Sequence, residues 1–358
     1  AISVASRTVA QKSTIPALEG IYIRAGVKLT LSGYNLETGI TISVDAEIQQ
    51  TGACIMPSRL FFDIIRKLPG DTVSISVDEK FKVSIRGGIS SFSITAMSSE
   101  DYPELPEVES DKGISLPQNE LKAMIGGTSF AVSENQARPI HTGCLFEVED
   151  SSITVVAVDG YRLALRRWKS EEPIGRTLKF VVPAAALKEA EKILGDTDEA
   201  CTFFLGSKHI LFTIGEATLV CRLLEGEFLD WRRVLPQNQP VKLAVNVAKM
   251  TDSIERVGLI ISEKLKSPVR CKFGENTADF RSVSTIGEAH DVCQIAGDGQ
   301  DMEIGFNCRY LLDALRAIPD AECSLELING LSPIVMNPCD GSERYSYMVL
   351  PVRLKAGE

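Results

Sequence analysis

The sequence predicts an α+β fold made of three copies of one module, each with two helices and antiparallel sheet. Three observations carry that prediction. Three segments can be laid over one another: Ile55–Leu68, Val181–Leu194 and Gly305–Ile318. Aligned on Pro57, Pro183 and Asn307, they stand 126 and 124 residues apart, with an acid six positions on (Asp63, Glu189, Asp313) and a base nine on (Arg66, Lys192, Arg316). A second set of landmarks, Pro16, Pro139 and Pro268, each precedes a strand-like run and gives spacings of 123 and 129. Between the helices, apolar and polar residues alternate with period two, as strands require. A period this long repeats a whole domain, since solenoid units recur every ~20–50 residues.

The first module, residues 1–108, opens on a helix at Ile2–Ala10 and continues with strand-like runs at Gly20–Ile23 and Lys28–Leu31. Cys54–Met56 is a short apolar strand that leads into the anchored helix. There Leu60, Phe61, Ile64, Ile65 and Leu68 make an apolar stripe opposite Arg59, Asp63, Arg66 and Lys67. Strands at Thr72–Val77, Phe81–Ile85 and Ser91–Thr95 follow, with turns at Asp78-Glu79 and Gly87-Gly88. The second module, 113–236, has a strand at Gly113–Leu116, a helix at Asn119–Ile125 and a strand at Cys144–Val148. Phe180–Val182 then enters its anchored helix, and strands follow at Thr202–Leu205, Ile210–Ile214 and Ala217–Leu223. The third, 241–354, has a helix at Val247–Val257, strands at Val269–Phe273 and Ile304–Phe306, and its own anchored helix; 355–358 is a tail. Gly113 stands 26 residues before Pro139, whereas 15 residues precede Pro16, so the first module is expected to be incomplete at its start. Asp101–Asp111 and Leu235–Pro240 are the expected linkers.

Composition narrows the function. The chain has 358 residues, 44% of them hydrophobic, enough for a modest core in each module. No run of ~18 apolar residues exists to span a membrane, and no leader is expected at the start. Nine scattered cysteines without a C-x-x-C pair read as small buried hydrophobes in a reducing cytosol, so a cytoplasmic protein is expected. Three separated histidines (His141, His209, His290) give little support for a metal site or a catalytic triad. No cofactor, no metal and no catalysis are expected. The net charge of −10 disfavours tight sequence-independent binding to nucleic acid, which needs a basic face for the phosphates. Any such role must rest on local basic stripes or on topology.

With these residues in hand, the chain resembles the bacterial DNA polymerase III β sliding clamps, the processivity rings of the replicase. The resemblance lies in Asp101-Tyr102-Pro103, Arg138–Gly143, Val156–Leu165, Phe228–Pro236, Met302–Tyr310 and Tyr347–Leu354, and it covers essentially the whole chain. It implies three clamp-type modules per chain and a head-to-tail homodimer forming a six-module ring. Such a ring encircles duplex DNA without reading its sequence, and tethers the replicative polymerase subunit, the clamp loader and other replication and repair proteins. A closed ring is held by topology, so an acidic exterior with basic stripes inside is compatible with it. DNA-facing residues carried over by resemblance are Lys12, Arg59 and Asn135. The recurring bases Arg66, Lys192 and Arg316 join them, although a charged helical face is also what simple solvation produces.

The resemblance further implies a pocket for short apolar peptides between the second and third modules. Its positions here are His141, Val158, Gly160, Tyr161, Arg162, Leu163, Leu229, Arg233, Val234, Leu265, Asn307, Tyr310, Leu331, Pro333, Met348, Val349, Leu350, Pro351, Val352, Arg353 and Leu354. Val158, Leu163, Val234, Val349 and Leu350 can form an apolar slot, and Arg162, Arg233, Asn307 and Arg353 can hold polar groups of an extended peptide. Asp159-Gly160 is equally readable as a hairpin turn, and 347–354 as a closing core strand. The family's dimer seam maps to Phe92 and Ile94 on one side and Leu259 and Ile260 on the other, with core packing as the rival for the first pair. Two other functions compete with the clamp: a three-module protein scaffold that never encircles DNA, and an enzyme using Asp159 with a histidine.

Overall fold

The computed structural model describes residues 1–108, 112–261 and 267–354. The first module runs α1 (Ile2–Ala5), β1 (Gly20–Ala25), β2 (Leu29–Tyr34), β3 (Thr38–Val44), β4 (Gly52–Pro57), α2 (Ser58–Lys67), β5 (Ser74–Val77), β6 (Lys82–Gly87) and β7 (Ser90–Thr95). The second runs β8 (Ile114–Pro117), α3 (Gln118–Gly126), β9 (Gly143–Glu149), β10 (Ser152–Val158), β11 (Arg162–Lys169), β12 (Leu178–Pro183), α4 (Ala184–Ile193), β13 (Ala200–Leu205), β14 (His209–Ile214) and β15 (Ala217–Arg222). The third runs β16 (Val241–Asn246), α5 (Val247–Gly258), β17 (Val269–Ser284), β18 (Gly287–Phe306), α6 (Cys308–Arg316), β19 (Glu322–Leu327), β20 (Ile334–Pro338) and β21 (Tyr345–Val349). This is the expected α+β architecture of three clamp-type modules.

The anchored helices α2, α4 and α6 each start directly after a strand. Pro57 and Pro183 close β4 and β12, so the anchor stands just before the helix. The third copy uses Asn307 there, whose Oδ1 accepts from the Tyr310 amide at 3.3 Å. Asn246 caps α5 in the same way, accepting from Lys249 N at 3.0 Å. Phe61 and Ile64 are buried as their stripe predicts, but Leu60 is 48% exposed. The first module's core reaches α2 through Phe61, Ile64, Ile65 and Leu68, a narrower face than the sequence pattern implies. Leu60 instead lines an open groove with Glu19, Arg59 and Asp63.

The opening helix is also shorter than expected. It ends at Ala5, passes through a 3₁₀ turn at Ser6–Thr8, and Val9 is extended. Hydroxyls explain this. Ser6 Oγ donates back to Ile2 O at 2.7 Å, and Thr8 Oγ1 donates to Gly33 O on β2 at 2.8 Å. Such local bonds offer the chain an alternative to continuing the helix.

Contacts group the chain into two compact units that cut across the repeats: Ala1–Lys122 with Lys188–Leu223, and Ala123–Leu187 with Leu224–Glu358. The first unit holds an eight-stranded sheet, β4-β1-β2-β3-β15-β14-β13-β8, and a three-stranded sheet, β5-β6-β7. Its long sheet is continuous from first module to second because β3 pairs antiparallel with β15, Ile40 opposite Leu219. The second unit holds a ten-stranded sheet, β12-β9-β10-β11-β21-β20-β19-β16-β18-β17. There the second module joins the third through β11 and β21, with Leu163 opposite Met348 and Leu165 opposite Ser346. Joining sheets edge to edge covers strand edges that would otherwise attract other chains.

Candidate functional site

The expected peptide pocket falls on the second unit, where β11 meets β21. The turn that starts β11 is built by Asp159. Its Oδ1 accepts from the amides of Tyr161 and Arg162 at 2.9 and 3.0 Å, and Gly160 takes a φ of +91°, which favours glycine. The Tyr161 carbonyl then accepts from the Leu350 amide at 2.8 Å, fixing the last strand against the turn. Beyond it, Val352 bridges to Gly305, donating at 2.8 Å. A Cβ at Gly305 would stand 2.9 Å from the Val352 carbonyl oxygen, so glycine lets this segment approach so closely.

Arg162 is the centre of the site, and it is 8% exposed. Its Nε donates to Asp159 Oδ2 at 2.9 Å, Nη1 to Asp313 Oδ2 at 2.6 Å, and Nη2 to the Phe130 carbonyl at 2.6 Å. The guanidinium lies 4.4 Å from the Tyr310 ring centroid and 5.3 Å from that of Phe130. Each nitrogen of the fork donates to one partner. Arg162 thereby ties the second module's turn to the third module's helix, a structural part beyond the peptide-holding one expected of it. Asn307 is likewise committed, as the α6 cap. Arg233 is 86% exposed at its side chain, pairs with Asp230 at 3.0 Å, and is open to solvent; Arg353 is exposed too.

The apolar slot differs from the expectation. Val158 (4%), Leu163 (1%) and Val349 (0%) are buried, so they offer little surface. Val158 and Leu163 lie beneath it in one cluster with Met348, whereas Val349, next to Met348 on β21, points to the opposite face. The accessible apolar groups are Val234 and Leu350, both half-buried over the cluster of Val158, Leu163, Phe228, Trp231 and Met348. Leu229, Tyr161, Leu331 and Val352 are exposed at the rim. Pro333, Pro351 and Leu354 are half-buried, and Gly160 is exposed. Tyr161 stacks on Tyr310, ring centroids 6.0 Å apart. Burial, and next the Asp159 carboxylate, pushes the Tyr310 phenol up. His141 meets Phe228 edge to face at 5.2 Å; burial first, then Arg138, holds its imidazole below the usual value. Leu265 lies outside the described residues.

One side chain that holds this region together was not singled out from sequence. Glu147 is 7% exposed, accepts from Trp231 Nε1 at 3.1 Å and Arg232 Nη1 at 2.8 Å, and pairs with Lys179 at 3.3 Å. It fastens to β9 the segment that bears Leu229, Arg233 and Val234. Glu147 sits among apolar residues in Cys144–Val148, and that lone acid on a buried strand was the available signal.

The residues expected to face DNA, Lys12, Arg59, Arg66, Asn135, Lys192 and Arg316, are all exposed. Two of the three recurring bases are paired: Lys192 with Glu189 at 2.6 Å and Arg316 with Glu255 at 2.7 Å. Arg66 lies over its own helix's Phe62 at 5.7 Å. Phe92 on β7 is 41% exposed with Ile94 half-buried beside it, and Leu259 is 82% exposed next to a half-buried Ile260. Among the described residues no three His, Cys, Asp or Glu side chains gather to hold a metal, and no helix is long and apolar enough to cross a membrane.

Comparison with known proteins places this geometry. Three models match in succession: the DNA polymerase III beta subunit N-terminal domain over residues 1–106, its central domain over 115–230 and its C-terminal domain over 232–353. A beta sliding clamp of Staphylococcus epidermidis is 33% identical over 363 residues, covering 97% of this chain and 94% of the relative. The crystal structure of a putative DNA polymerase III beta subunit from Eubacterium rectale has a TM-score of 0.93 at 31% identity, covering 99% of this chain and 96% of that one. The DNA polymerase sliding clamp of Bacillus subtilis gives the same TM-score and coverage at 30% identity. With each of its three repeats matched by a different domain of one subunit, the chain belongs to the DNA polymerase III beta subunit family.

Proposed function

We propose that this protein is a DNA sliding clamp, a non-catalytic processivity factor whose two protomers close head to tail into a ring around duplex DNA. The observation that carries the reading is the succession of N-terminal, central and C-terminal beta-subunit domains along one chain. Charge supports it. A chain of net charge −10, with Lys192 and Arg316 already paired to acids, is suited to being held on DNA by enclosure and not by phosphate neutralisation. The exposed Phe92, with Ile94, on an edge strand, and the exposed Leu259, with Ile260, are the surfaces that one protomer and its partner bring together. Polymerase and other replication proteins dock a short apolar peptide over Val234 and Leu350, beside the Tyr161–Tyr310 stack. Retention on closed circular duplex with release after linearisation is the expected result. Equal loss from both forms sinks the enclosure and favours a scaffold that binds proteins without encircling DNA.

A further inference from the structure

On the face of the ten-stranded sheet that carries the peptide slot lies a second depression of about 250 Å³, lined by Trp231, Leu235, Glu326, Val335, Asn337 and Ser346. Strand register fixes where it stands. Val335 pairs with Met348 of the slot wall, and Ser346 lies two residues before Met348 on β21. Side chains two apart on a strand share a face at roughly 7 Å spacing, so the depression begins one residue pair from the slot. Trp231, Val335, Met348, Val234 and Leu350 belong to one apolar cluster, which runs beneath both hollows.

The lining selects the occupant. Half-buried Leu235 and the little-exposed edges of Trp231 and Val335 supply an apolar floor, and the depression's volume suits one ring. Hydrogen-bonding groups sit on Asn337, Ser346 and Glu326. The Glu326 side chain is 12% exposed and uses Oε1 to accept from Lys242 at 3.2 Å, which leaves Oε2 as an acceptor. Arg232 at the rim is already paired with Glu147 and Glu149 and lies 4.3 Å over Trp231, so its charge is spent and an anion gains little. An aromatic ring with a single donor at its tip satisfies both floor and acceptors.

We infer that this depression is an accessory subsite taking a tyrosine or tryptophan side chain of the docking peptide, about two residues beyond its apolar core. The inference rests on the peptide-slot reading above. Three fluorescent peptides test it on the full chain: a hexapeptide built on an apolar core of Leu and Phe, chosen to suit the slot of Val234 and Leu350, and the same core with Tyr placed two residues beyond either end. One Tyr extension is expected to lower Kd at least fivefold, while an Ala at that place does not. Ser346→Trp, which fills the depression, is expected to abolish the gain and leave Kd for the core peptide within twofold. Asn337→Leu, which removes polar lining without bulk, is expected to reduce the gain. Equal Kd for all three peptides overturns the subsite and leaves the slot standing, as does a Tyr gain that survives both variants. No binding by any peptide overturns slot and subsite together.

Discussion

Arg162 on β11 donates to Asp313 on α6 at 2.6 Å, joining residues 151 apart in sequence. Asp313 is the third copy's version of the repeated acid. Its equivalent Glu189 pairs with Lys192 in its own helix and with Arg7 of the first module at 3.5 Å, so in both copies the repeated acid also links one module to another. A guanidinium with three directional partners and two aromatic faces resists rotation far more than a single ion pair does.

Removing that carboxylate leaves a buried cation short of one partner. Asp313→Ala is therefore expected to lower unfolding free energy by about 2 kcal/mol, the scale for hydrogen bonds to charged groups. Asp313→Asn, which keeps an acceptor, should lose less. Urea denaturation measures both, and equal losses would show that charge rather than the bond matters.

The proposed peptide slot should separate binding from stability. Tyr161 is 61% exposed and Leu350 half-buried, so neither supports much core. Leu350→Ala and Tyr161→Ala should each weaken a Leu- and Phe-bearing peptide several-fold by fluorescence polarisation. Tyr161→Ala should change unfolding free energy by no more than about 0.5 kcal/mol, as for other exposed sites. Arg162→Ala makes a poor probe of the slot, because its loss disturbs the frame beneath. Unchanged affinity in both of the first two variants would remove the assignment.

Much of the fold was readable because local pattern and repeat agreed. The helices after Pro57, Pro183 and Asn307, and the hairpins at Asp78 and Gly87, follow from periodicity and turn chemistry alone. What stayed hidden depends on distance along the chain. Nothing near Arg162 reveals that its partner is Asp313, and nothing near Trp231 reveals Glu147, 84 residues away. Burial was hidden for the same reason: Val349 and Leu350 are adjacent apolar residues, and only the pairing of Val349 with Arg162 and Ile334 shows which one is sealed inside. The early end of α1 depended on Gly33, a residue of another strand.

The paired bases make a prediction about DNA. Glu255 holds Arg316 at 2.7 Å with both side chains about half exposed. Such a pair contributes little to stability, yet it removes one cation from the set that can meet phosphates. Glu255→Gln should leave unfolding unchanged, raise the weak affinity for linear duplex, and steepen the log K against log salt slope by about 1. A slope equal to the parent's would place Arg316 away from the DNA path.

Acid should weaken the fold in two separate steps. Burial, aided by Arg138, depresses His141; burial, aided by Arg222 and Lys208, depresses His209. The unfolded chain binds these protons near pH 6.5 and the folded chain only at lower pH. Stability from keeping the rings neutral is thus complete above 6.5 and lost as pH falls below it. Asp291, held down by its bond from Arg256, and Asp340, held down by Ser342 to about 2, act below pH 3.8. Unfolding midpoints should therefore decline first as pH falls below 6.5 and again below 3.8. His141→Gln with His209→Gln should flatten the first decline and spare the second. A first decline that persists in the double variant would assign it to other groups.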